Sequence, residues 1–418
     1  MLSTQIPEEF KDIRPYADDE LPQVFAELMA DEQFMSVATQ VVPDLKKKLA
    51  ALPSLMGSEG NSGLTECQSA LSDRDRTPLP GTGGVGGGSS SLAIQKALIY
   101  PLVQHIIQTC SKGIELALPE GFDRTAPHTF ITNHRDIVLD SAFLSFLLVD
   151  NGFPTTVEIA IGDNLLIYPW IKKLVRINKS FIVQRSLSMR EMLRASQTLS
   201  RYMHFAIAEK HENIWIAQRE GRAKDSDDRT QDALLKMMAM GGEGSVVDRL
   251  RQLHLVPMAL SYEYDPCDFL KAKEFQQKRD IEGFKKSQAD DLMNMKTGIF
   301  GQKGRIHFQA APCIDAWLDT LDPAMPKSEL FPLVAQHIDH EIHRSYRLYP
   351  SNYIAADALL GESAFSEYYT EAELRAFDEY LSQRIALIDL PEPDENFLRE
   401  RLLTMYANPV FNQAKAEQ

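Results

Sequence analysis

The chain has 418 residues, of which 44% are hydrophobic, 25% charged and 9% aromatic, and these values are ordinary for a globular protein. Wholesale disorder, collagen-like repeats and a small disulfide-bonded scaffold are therefore excluded. The formal charge of −15 disfavours non-specific binding to nucleic acid or anionic headgroups, so no nucleic-acid partner is expected; a local basic pocket for a phosphorylated ligand stays compatible with it.

The cysteine usage and the N-terminus bear on the compartment. Cys67, Cys110, Cys267 and Cys313 lie far apart in the sequence, which is typical of a reducing cytoplasm and forms neither a zinc ribbon nor a redox motif. The acidic N-terminus has no apolar stretch after a basic start, and no run of about 18 apolar residues occurs, so neither a signal peptide nor a spanning helix is expected. We expect a cytoplasmic protein, soluble or peripheral at the inner face of the cell membrane.

The N-terminal part divides by composition. Residues 1–52 contain apolar side chains at helical spacing and predict a helical segment, whereas the Gly/Ser/Pro-rich residues 53–91 predict a flexible linker. The apolar stretch from Leu92 to Leu116 predicts one helix, interrupted near Pro101. That helix is expected either to cover a sheet or to lie on a membrane surface.

Residues 92–320 alternate between strand-like and helix-like patterns. This alternation predicts an α/β domain with a mostly parallel central sheet flanked by helices, and the pattern after residue 320 predicts a helical C-terminal extension over 321–418. The predicted strands are 128–134, 155–163, 179–185, 212–218, 254–264 and 304–310, and the clearest predicted helices are 140–150 and 189–210.

A polar cluster follows the first buried strand of this domain. It contains His134, Asp136 and Asp140 at the start of an apolar helix. Ligand sites of open α/β sheets lie at the carboxyl ends of the strands. A histidine there with a nearby carboxylate can act as a general base, because the carboxylate orients the ring and stabilises the imidazolium. The alternative is that Asp136 caps the helix and His134 lies in a loop.

Basic residues follow two later strands. They can surround a phosphate, since the planar guanidinium suits bidentate contact and glycine permits close backbone approach. The alternative is an ion-pair network with the acidic residues just downstream, Asp225, Asp227 and Asp228. The candidate phosphate-binding residues are Arg185, Arg219, Glu220, Gly221, Arg222 and Lys224.

In their order and spacing these blocks resemble the glycerolipid acyltransferase superfamily, which comprises the glycerol-phosphate and lysophosphatidate acyltransferases. The resemblance spans about residues 95–310 and is closest to a bacterial branch of putative acyltransferases, on stretches such as FITNHRDIVLDSAFL and IWIAQREGRAKD. It implies an acyltransferase in which His134 is the base that deprotonates an acceptor hydroxyl. It also implies that Arg185 and the Glu220-Gly221-Arg222 turn bind the acceptor phosphate.

The resemblance further implies the substrates of the reaction. The acyl donor would be acyl-CoA or acyl carrier protein, and the acceptor would be glycerol 3-phosphate or lysophosphatidate, in phospholipid synthesis and with peripheral membrane contact. Direct transfer in a ternary complex needs neither an acyl-enzyme nor a cofactor or metal. Two alternatives stay open: a different lipid acceptor, such as an amino-acid lipid, and a catalytically silent lipid- or carrier-binding module on the same fold.

The chain departs from the family pattern at three positions. The superfamily's aspartate falls five residues after the histidine, where this chain has Leu139. Asp140, one residue late, is the first choice as orienting partner and Asp136 the second, because one extra residue on a helix turns a side chain by about 100°. Arg219 replaces a proline, and Arg222 follows the glycine directly, which leaves the identity of the acceptor headgroup open.

Three histidines in the C-terminal extension repeat at every third position. His337, His340 and His343 lie in the segment VAQHIDHEIHRSYRLYP, and two residues three apart on a helix can share a metal ion. Half-exposed helix positions explain such spacing more simply, so no metal is predicted.

Overall fold

The computed structural model describes residues 6–41, 90–166, 168–185 and 187–418. They divide into two compact units. The described residues of the first unit are 6–12, 103–160 and 187–418, and those of the second unit are 13–41, 90–102, 161–166 and 168–185. The four-part division at residues 52, 91 and 320 stays a prediction. Its linker, 53–91, lies outside the described residues except for Ser90 and Ser91, which begin a helix.

Seven strands form one sheet in the order β1-β7-β6-β2-β5-β3-β4. The pairs β1–β7, β2–β5, β2–β6 and β3–β5 are parallel, and β6–β7 is antiparallel. The predicted mostly parallel sheet flanked by helices is therefore confirmed. The strands are β1 (Ile114–Ala117), β2 (Thr129–Thr132), β3 (Val157–Gly162), β4 (Ser180–Val183), β5 (Asn213–Ala217), β6 (Leu255–Tyr262) and β7 (Ile306–Ala310).

Helices connect the strands of the α/β region. These helices are α1 (Leu21–Met29), α2 (Glu32–Val41), α3 (Ser90–Ile94), α4 (Tyr100–Cys110), α5 (Leu139–Asp150), α6 (Pro169–Ile177), α7 (Met189–Ala208), α8 (Asp232–Met238) and α9 (Val246–Arg251).

The remaining helices follow β6. The C-terminal extension is helical, as its sequence pattern predicts. These helices are α10 (Asp268–Asp280), α11 (Gln288–Phe300), α12 (Asp315–Leu318), α13 (Lys327–Arg344), α14 (Pro350–Leu360), α15 (Glu371–Ala386) and α16 (Glu395–Ala416). Within the described parts of the chain, no helix is both long enough and apolar enough to cross a bilayer.

The prediction of one helix over residues 92–116 is wrong at the C-terminal end. It also did not specify the form of the interruption near Pro101. The helix ends at Cys110, and residues 114–117 form strand β1 instead. Gly113 has φ of +116°, which takes the chain out of the helix, and pairing with β7 then stabilises the extended backbone. The interruption is a π-helical turn, Gln95–Ile99, directly before Pro101.

The central strands are buried on both faces. All eight residues of β6 and all four of β2 are buried, as is expected for parallel strands between two helical layers. The loops that follow β2 and β6 therefore begin from fully buried strands. In the second unit, Leu21, Phe25 and Leu28 of α1 pack with Ile177 of α6 in a separate apolar cluster.

A buried polar network holds the C-terminal helices together. The carboxylate of Asp268 is fully buried and accepts hydrogen bonds from the Tyr380 hydroxyl at 2.6 Å and the Tyr406 hydroxyl at 2.8 Å. It also pairs with the guanidinium of Arg384 at 2.5 Å. Thus α10, α15 and α16 meet at a single carboxylate, within an apolar cluster that includes Leu398.

We expect Asp268→Ala to lower the free energy of unfolding by about 3–5 kcal/mol, because it leaves a buried cation and two buried hydroxyls without their acceptor. Urea denaturation followed by circular dichroism measures the change. The matched control is Asp378→Ala in α15, whose carboxylate is exposed and pairs with Arg399; it should cost at most about 1 kcal/mol. Equal losses in the two variants would contradict the importance of this network.

Candidate active site

The loop between β2 and α5 carries the predicted catalytic residues. Asn133, the first residue after β2, is fully buried, and its side chain bonds the backbone of the neighbouring strand β6. Its Oδ1 accepts from the N–H of Leu260 at 2.7 Å, and its Nδ2 donates to the carbonyl of Leu260 at 3.0 Å. The start of the loop is thereby attached to the centre of the sheet.

His134 contacts the carboxylate of Asp140. The distance from His134 Nδ1 to Asp140 Oδ2 is 2.7 Å, and the Asp140 side chain is fully buried. The same oxygen accepts the backbone N–H groups of Arg135 at 2.7 Å and Asp136 at 3.1 Å. Since α5 begins only at Leu139, the extra residue relative to the family pattern lies in the loop, and Asp140 reaches the histidine from the first turn.

A tyrosine completes the surroundings of this carboxylate. The hydroxyl of Tyr262, at the end of β6, donates to Asp140 Oδ1 at 2.8 Å. Burial and the neighbouring Asp140 raise the pKa of Tyr262 well above its usual value, so the hydroxyl remains a donor. An imidazole that donates its Nδ1 proton to such a carboxylate has the lone pair of Nε2 free to accept a proton.

Asp136 caps the helix. Its Oδ1 accepts the N–H groups of Val138 at 2.9 Å and Leu139 at 2.8 Å, which are unpaired donors at the start of α5. Burial, followed by the nearby Asp140 charge, raises the pKa of Asp136. The geometry thus gives Asp140 the contact with His134 and gives Asp136 the capping position that the sequence offered as its alternative.

Trp215 of β5 borders the histidine. The two ring centroids lie 5.5 Å apart in an edge-on arrangement, and the indole Nε1 donates to the Thr132 hydroxyl at 3.1 Å. Trp215 therefore supplies a fixed apolar wall beside His134. Sequence reasoning did not select Trp215 or Tyr262 as site residues. Their one signal is their position on the strands that flank β2, with Trp215 in the middle of β5 and Tyr262 at the end of β6.

Arg135 forms a buried ion pair with Asp228. Its guanidinium donates to the two carboxylate oxygens at 3.1 and 2.7 Å. Asp228 Oδ2 also accepts the Tyr346 hydroxyl at 2.5 Å, and the Asp228 carbonyl lies 2.7 Å from His343 Nε2. The catalytic loop is in this way connected to the segment after the Gly221 turn and to residues of the C-terminal extension.

The ion-pair network that the sequence offered as the alternative to a phosphate site involves other partners in the structure. Asp228 pairs with Arg135, and Asp227 pairs with Arg229 at 3.0 Å. Lys224 instead pairs with Glu274 of α10 at 2.6 Å. Burial lowers the pKa of Lys224 although Glu274 acts in the opposite direction. Lys224 thus has a structural partner.

The Glu220-Gly221-Arg222 turn follows β5 on the same edge of the sheet. Gly221 has φ of +67°, a conformation that favours glycine, and the N–H of exposed Glu220 donates to Gln231 Oε1 at 2.8 Å. Arg222 donates one Nη2 bond to Asn294 Oδ1 at 2.9 Å. Its buried Nη1 and the buried Nε of Arg219 have no hydrogen-bond acceptor among the described residues, so donors are available for a ligand.

Arg185 belongs to the second unit. It lies two residues after the end of β4. Its backbone N–H donates to Asp163 Oδ1 at 3.2 Å. Its assignment to the acceptor phosphate stays a prediction from the family resemblance.

The three C-terminal histidines face different partners. His337 stacks on Trp317 with ring centroids 3.7 Å apart, His343 contacts the Asp228 carbonyl, and His340 is half exposed. Their spacing of three residues therefore does not bring them to one ligand.

Comparison with known proteins gives one family match. Residues 113–261 match the family described as Acyltransferase, a segment that contains His134, Asp140, Arg222 and Tyr262. No curated protein matches the chain. Among solved structures, the chain is similar to the 1-acyl-sn-glycerophosphate (LPA) acyltransferase PlsC from Thermotoga maritima, with 8% identity and a TM-score of 0.36 over 77% of this chain and 93% of that chain.

A carboxylate of α13 that accepts hydrogen bonds from the loop after the Arg222 turn makes the stability of the fold depend on pH. Asp339 of α13 accepts the Thr230 N–H at 2.7 Å and the Thr230 hydroxyl at 2.6 Å. Burial raises its pKa to about 6. Because the folded protein then binds the proton more tightly than the unfolded chain does, this group stabilises the fold below about pH 4, and that contribution is lost as the pH rises through 6.

We expect Asp339→Asn to remove this dependence, since the amide oxygen still accepts from Thr230 but does not ionise. Between pH 4 and 8, the wild type should lose up to about 3 kcal/mol more free energy of unfolding than the variant does. Denaturant unfolding at both pH values measures the difference. The control Asp389→Asn, at an exposed site, should show the same pH dependence as the wild type. If Asp339→Asn showed that dependence as well, the assignment to Asp339 would be contradicted.

Proposed function

We propose that the chain is an acyltransferase of lipid biosynthesis that acylates a phosphorylated glycerolipid with His134 as general base. The match of residues 113–261 to the family described as Acyltransferase supports this proposal. The donor is acyl-CoA or acyl carrier protein, and the acceptor is glycerol 3-phosphate or lysophosphatidate. The protein works in the cytoplasm, peripherally at the inner face of the cell membrane. The observation that carries the proposal is the 2.7 Å contact between His134 Nδ1 and the buried Asp140 carboxylate.

The reaction proceeds by direct transfer. His134 Nε2 removes the proton from the acceptor hydroxyl as its oxygen attacks the thioester carbonyl. The carbon–sulfur bond then breaks, and the thiolate leaving group takes the proton from the imidazolium, so the histidine returns to its neutral form. Asp140 stabilises the transient imidazolium, and a positioned base of this kind contributes about 10²- to 10⁴-fold to the rate.

Fixed donors around Asp140 keep the histidine in one orientation. Tyr262 and the N–H groups of Arg135 and Asp136 saturate the carboxylate, so it has little freedom to turn away from His134. The feature that favoured a catalytically silent module was the displaced aspartate. In the folded chain this displacement leaves the histidine–carboxylate contact in place, and the enzymatic proposal is therefore preferred.

Arg222 is proposed to bind the acceptor phosphate. Its Nη1 is buried and unpaired within the described residues, whereas Asn294 orients the other nitrogen. A dianionic phosphate would complete the guanidinium fork. The unpaired Nε of Arg219 adds a second donor on the same turn, at a position where the family has proline, so this chain's headgroup contacts differ from those of the superfamily.

The test of the base is thiol release from palmitoyl-CoA in the presence of glycerol 3-phosphate, lysophosphatidate or an amino-acid lipid. We expect His134→Ala to reduce the rate at least about 10²-fold. Asp140→Asn should reduce kcat similarly, because a neutral amide does not stabilise the imidazolium and does not fix the tautomer of the ring. His340→Gln, on an exposed histidine, is the control and should leave the rate unchanged. Circular dichroism establishes that the variants fold.

Two results would contradict this proposal. Unchanged transfer by His134→Ala would remove the assigned base. Absence of transfer by the wild type with every acceptor, and with acyl carrier protein as donor as well, would favour the binding module. Transfer only to the amino-acid lipid would retain the mechanism and replace the acceptor.

The test of the phosphate site is Arg222→Met. We expect KM for the phosphorylated acceptor to rise about 10- to 100-fold, because a charge-assisted hydrogen bond contributes about 1.5–3 kcal/mol, while KM for the acyl donor stays nearly constant. Arg229→Met is the control, since Arg229 is an exposed arginine seven residues along the same loop. An equal rise in the control, or a change confined to the donor KM, would contradict the assignment.

A further inference from the structure

Three potential metal ligands meet at the sheet edge opposite His134. They are His254, Cys313 and Asp315, whose ligand atoms all lie within 4.8 Å of one another. His254 directly precedes β6, whereas His134 follows β2, and these two strands are parallel. The cluster is therefore at the amino edge of β6, remote in the fold from the proposed catalytic loop.

Backbone pairing holds the three residues in place. The N–H of Ile314 donates to the Leu255 carbonyl at 3.0 Å, and the N–H of Ala311 donates to the Pro257 carbonyl at 2.8 Å. The loop after β7 consequently runs beside the start of β6 and brings Cys313 and Asp315 to His254. Ligands that are positioned by a rigid scaffold lose little conformational entropy when they bind an ion.

The donor set is typical of a borderline transition metal. Zinc binds thiolate, imidazole and carboxylate ligands at about 2.0–2.3 Å, which places tetrahedral ligand atoms about 3.3–3.8 Å apart. The ligand atoms here lie within 4.8 Å of one another, so small side-chain shifts would bring them to that spacing. His254 Nδ1 and Asp315 Oδ2 are 2.6 Å apart. An ion between them would take the place of the shared proton once the two side chains had moved slightly apart. All three residues are partly exposed, which leaves an entry path and a fourth position for water.

Two buried polar atoms at this edge have no protein partner among the described residues. One is Asp315 Oδ1, and the other is Nδ1 of His128. His128 is 7% exposed and lies beside His254, because Thr129 pairs with Leu255 in the β2–β6 register. Unsatisfied buried polar atoms are rare in folded proteins, and an unoccupied ion or water site is one of their explanations.

We propose that His254, Cys313 and Asp315 form a binding site for a divalent transition metal of the zinc type, which stabilises the junction between β6 and the loop after β7. The site is independent of the acyl-transfer proposal. Binding displaces the Cys313 proton and the proton shared by His254 and Asp315. Because binding releases these protons, affinity should increase with pH.

The experiment uses the full chain without a histidine tag, first freed of metal with a chelator. Cobalt(II) is then titrated as a spectroscopic probe, and zinc is titrated in competition with a chromophoric chelator. We expect one metal ion per chain, a thiolate-to-cobalt charge-transfer band, and a higher Tm with zinc than without it. Cys313→Ser should abolish the charge-transfer band, and both Cys313→Ser and His254→Gln should weaken zinc binding at least tenfold.

The controls are Cys110→Ser and His340→Gln, which remove a thiol at the end of α4 and an imidazole of α13. Both should keep the band and the zinc affinity of the wild type. Absence of the band in the wild type, or a band that persists in Cys313→Ser, would overturn the proposal. Because the decisive reading is the spectrum of the folded wild type, a variant that fails to fold does not prevent the test.

Discussion

The buried carboxylate of Asp140 is the constraint on which the candidate active site depends. It accepts the hydroxyl of Tyr262 and two backbone N–H groups, and it contacts His134 Nδ1. A buried carboxylate is costly unless it is surrounded by donors, so the loop from Asn133 to Val138 must adopt the conformation that supplies them. The same hydrogen bonds orient the imidazole of His134. One arrangement of the loop therefore both compensates the buried charge of Asp140 and positions the proposed base.

A second buried pair extends this arrangement beyond the loop. Arg135 and Asp228 form a bidentate contact in the interior, and Tyr346 donates to the same carboxylate. Since a buried charge without its partner is strongly destabilising, the catalytic loop, the segment after the Gly221 turn and the C-terminal extension are expected to fold cooperatively. The extension is therefore part of the structural support of the site, although it lies outside the segment that matches the family.

Much of the fold could be predicted because parallel strands carry a strong local signal. β2, β5 and β6 are continuous apolar runs that are buried on both faces, and each lies within its predicted bounds. Strand β1 was missed because Ile114–Ala117 continues the apolar pattern of the preceding helix. Its extended form depends on Gly113 and on pairing with β7, about 190 residues later in the chain, and such pairing has no local signature.

The sequence by itself determined the fold class and the strand ends that carry His134 and the Arg222 turn, because these depend on local hydrophobic pattern and motif order. Only the tertiary structure decided that Asp140 contacts the histidine and Asp136 caps the helix, since one residue in a loop changes which carboxylate faces the ring. It likewise assigned Asp228 to Arg135, 93 residues away, and brought Cys313 beside His254. Contacts between residues so distant in sequence arise from the packing of strands and helices, and the order of residues along the chain does not express them.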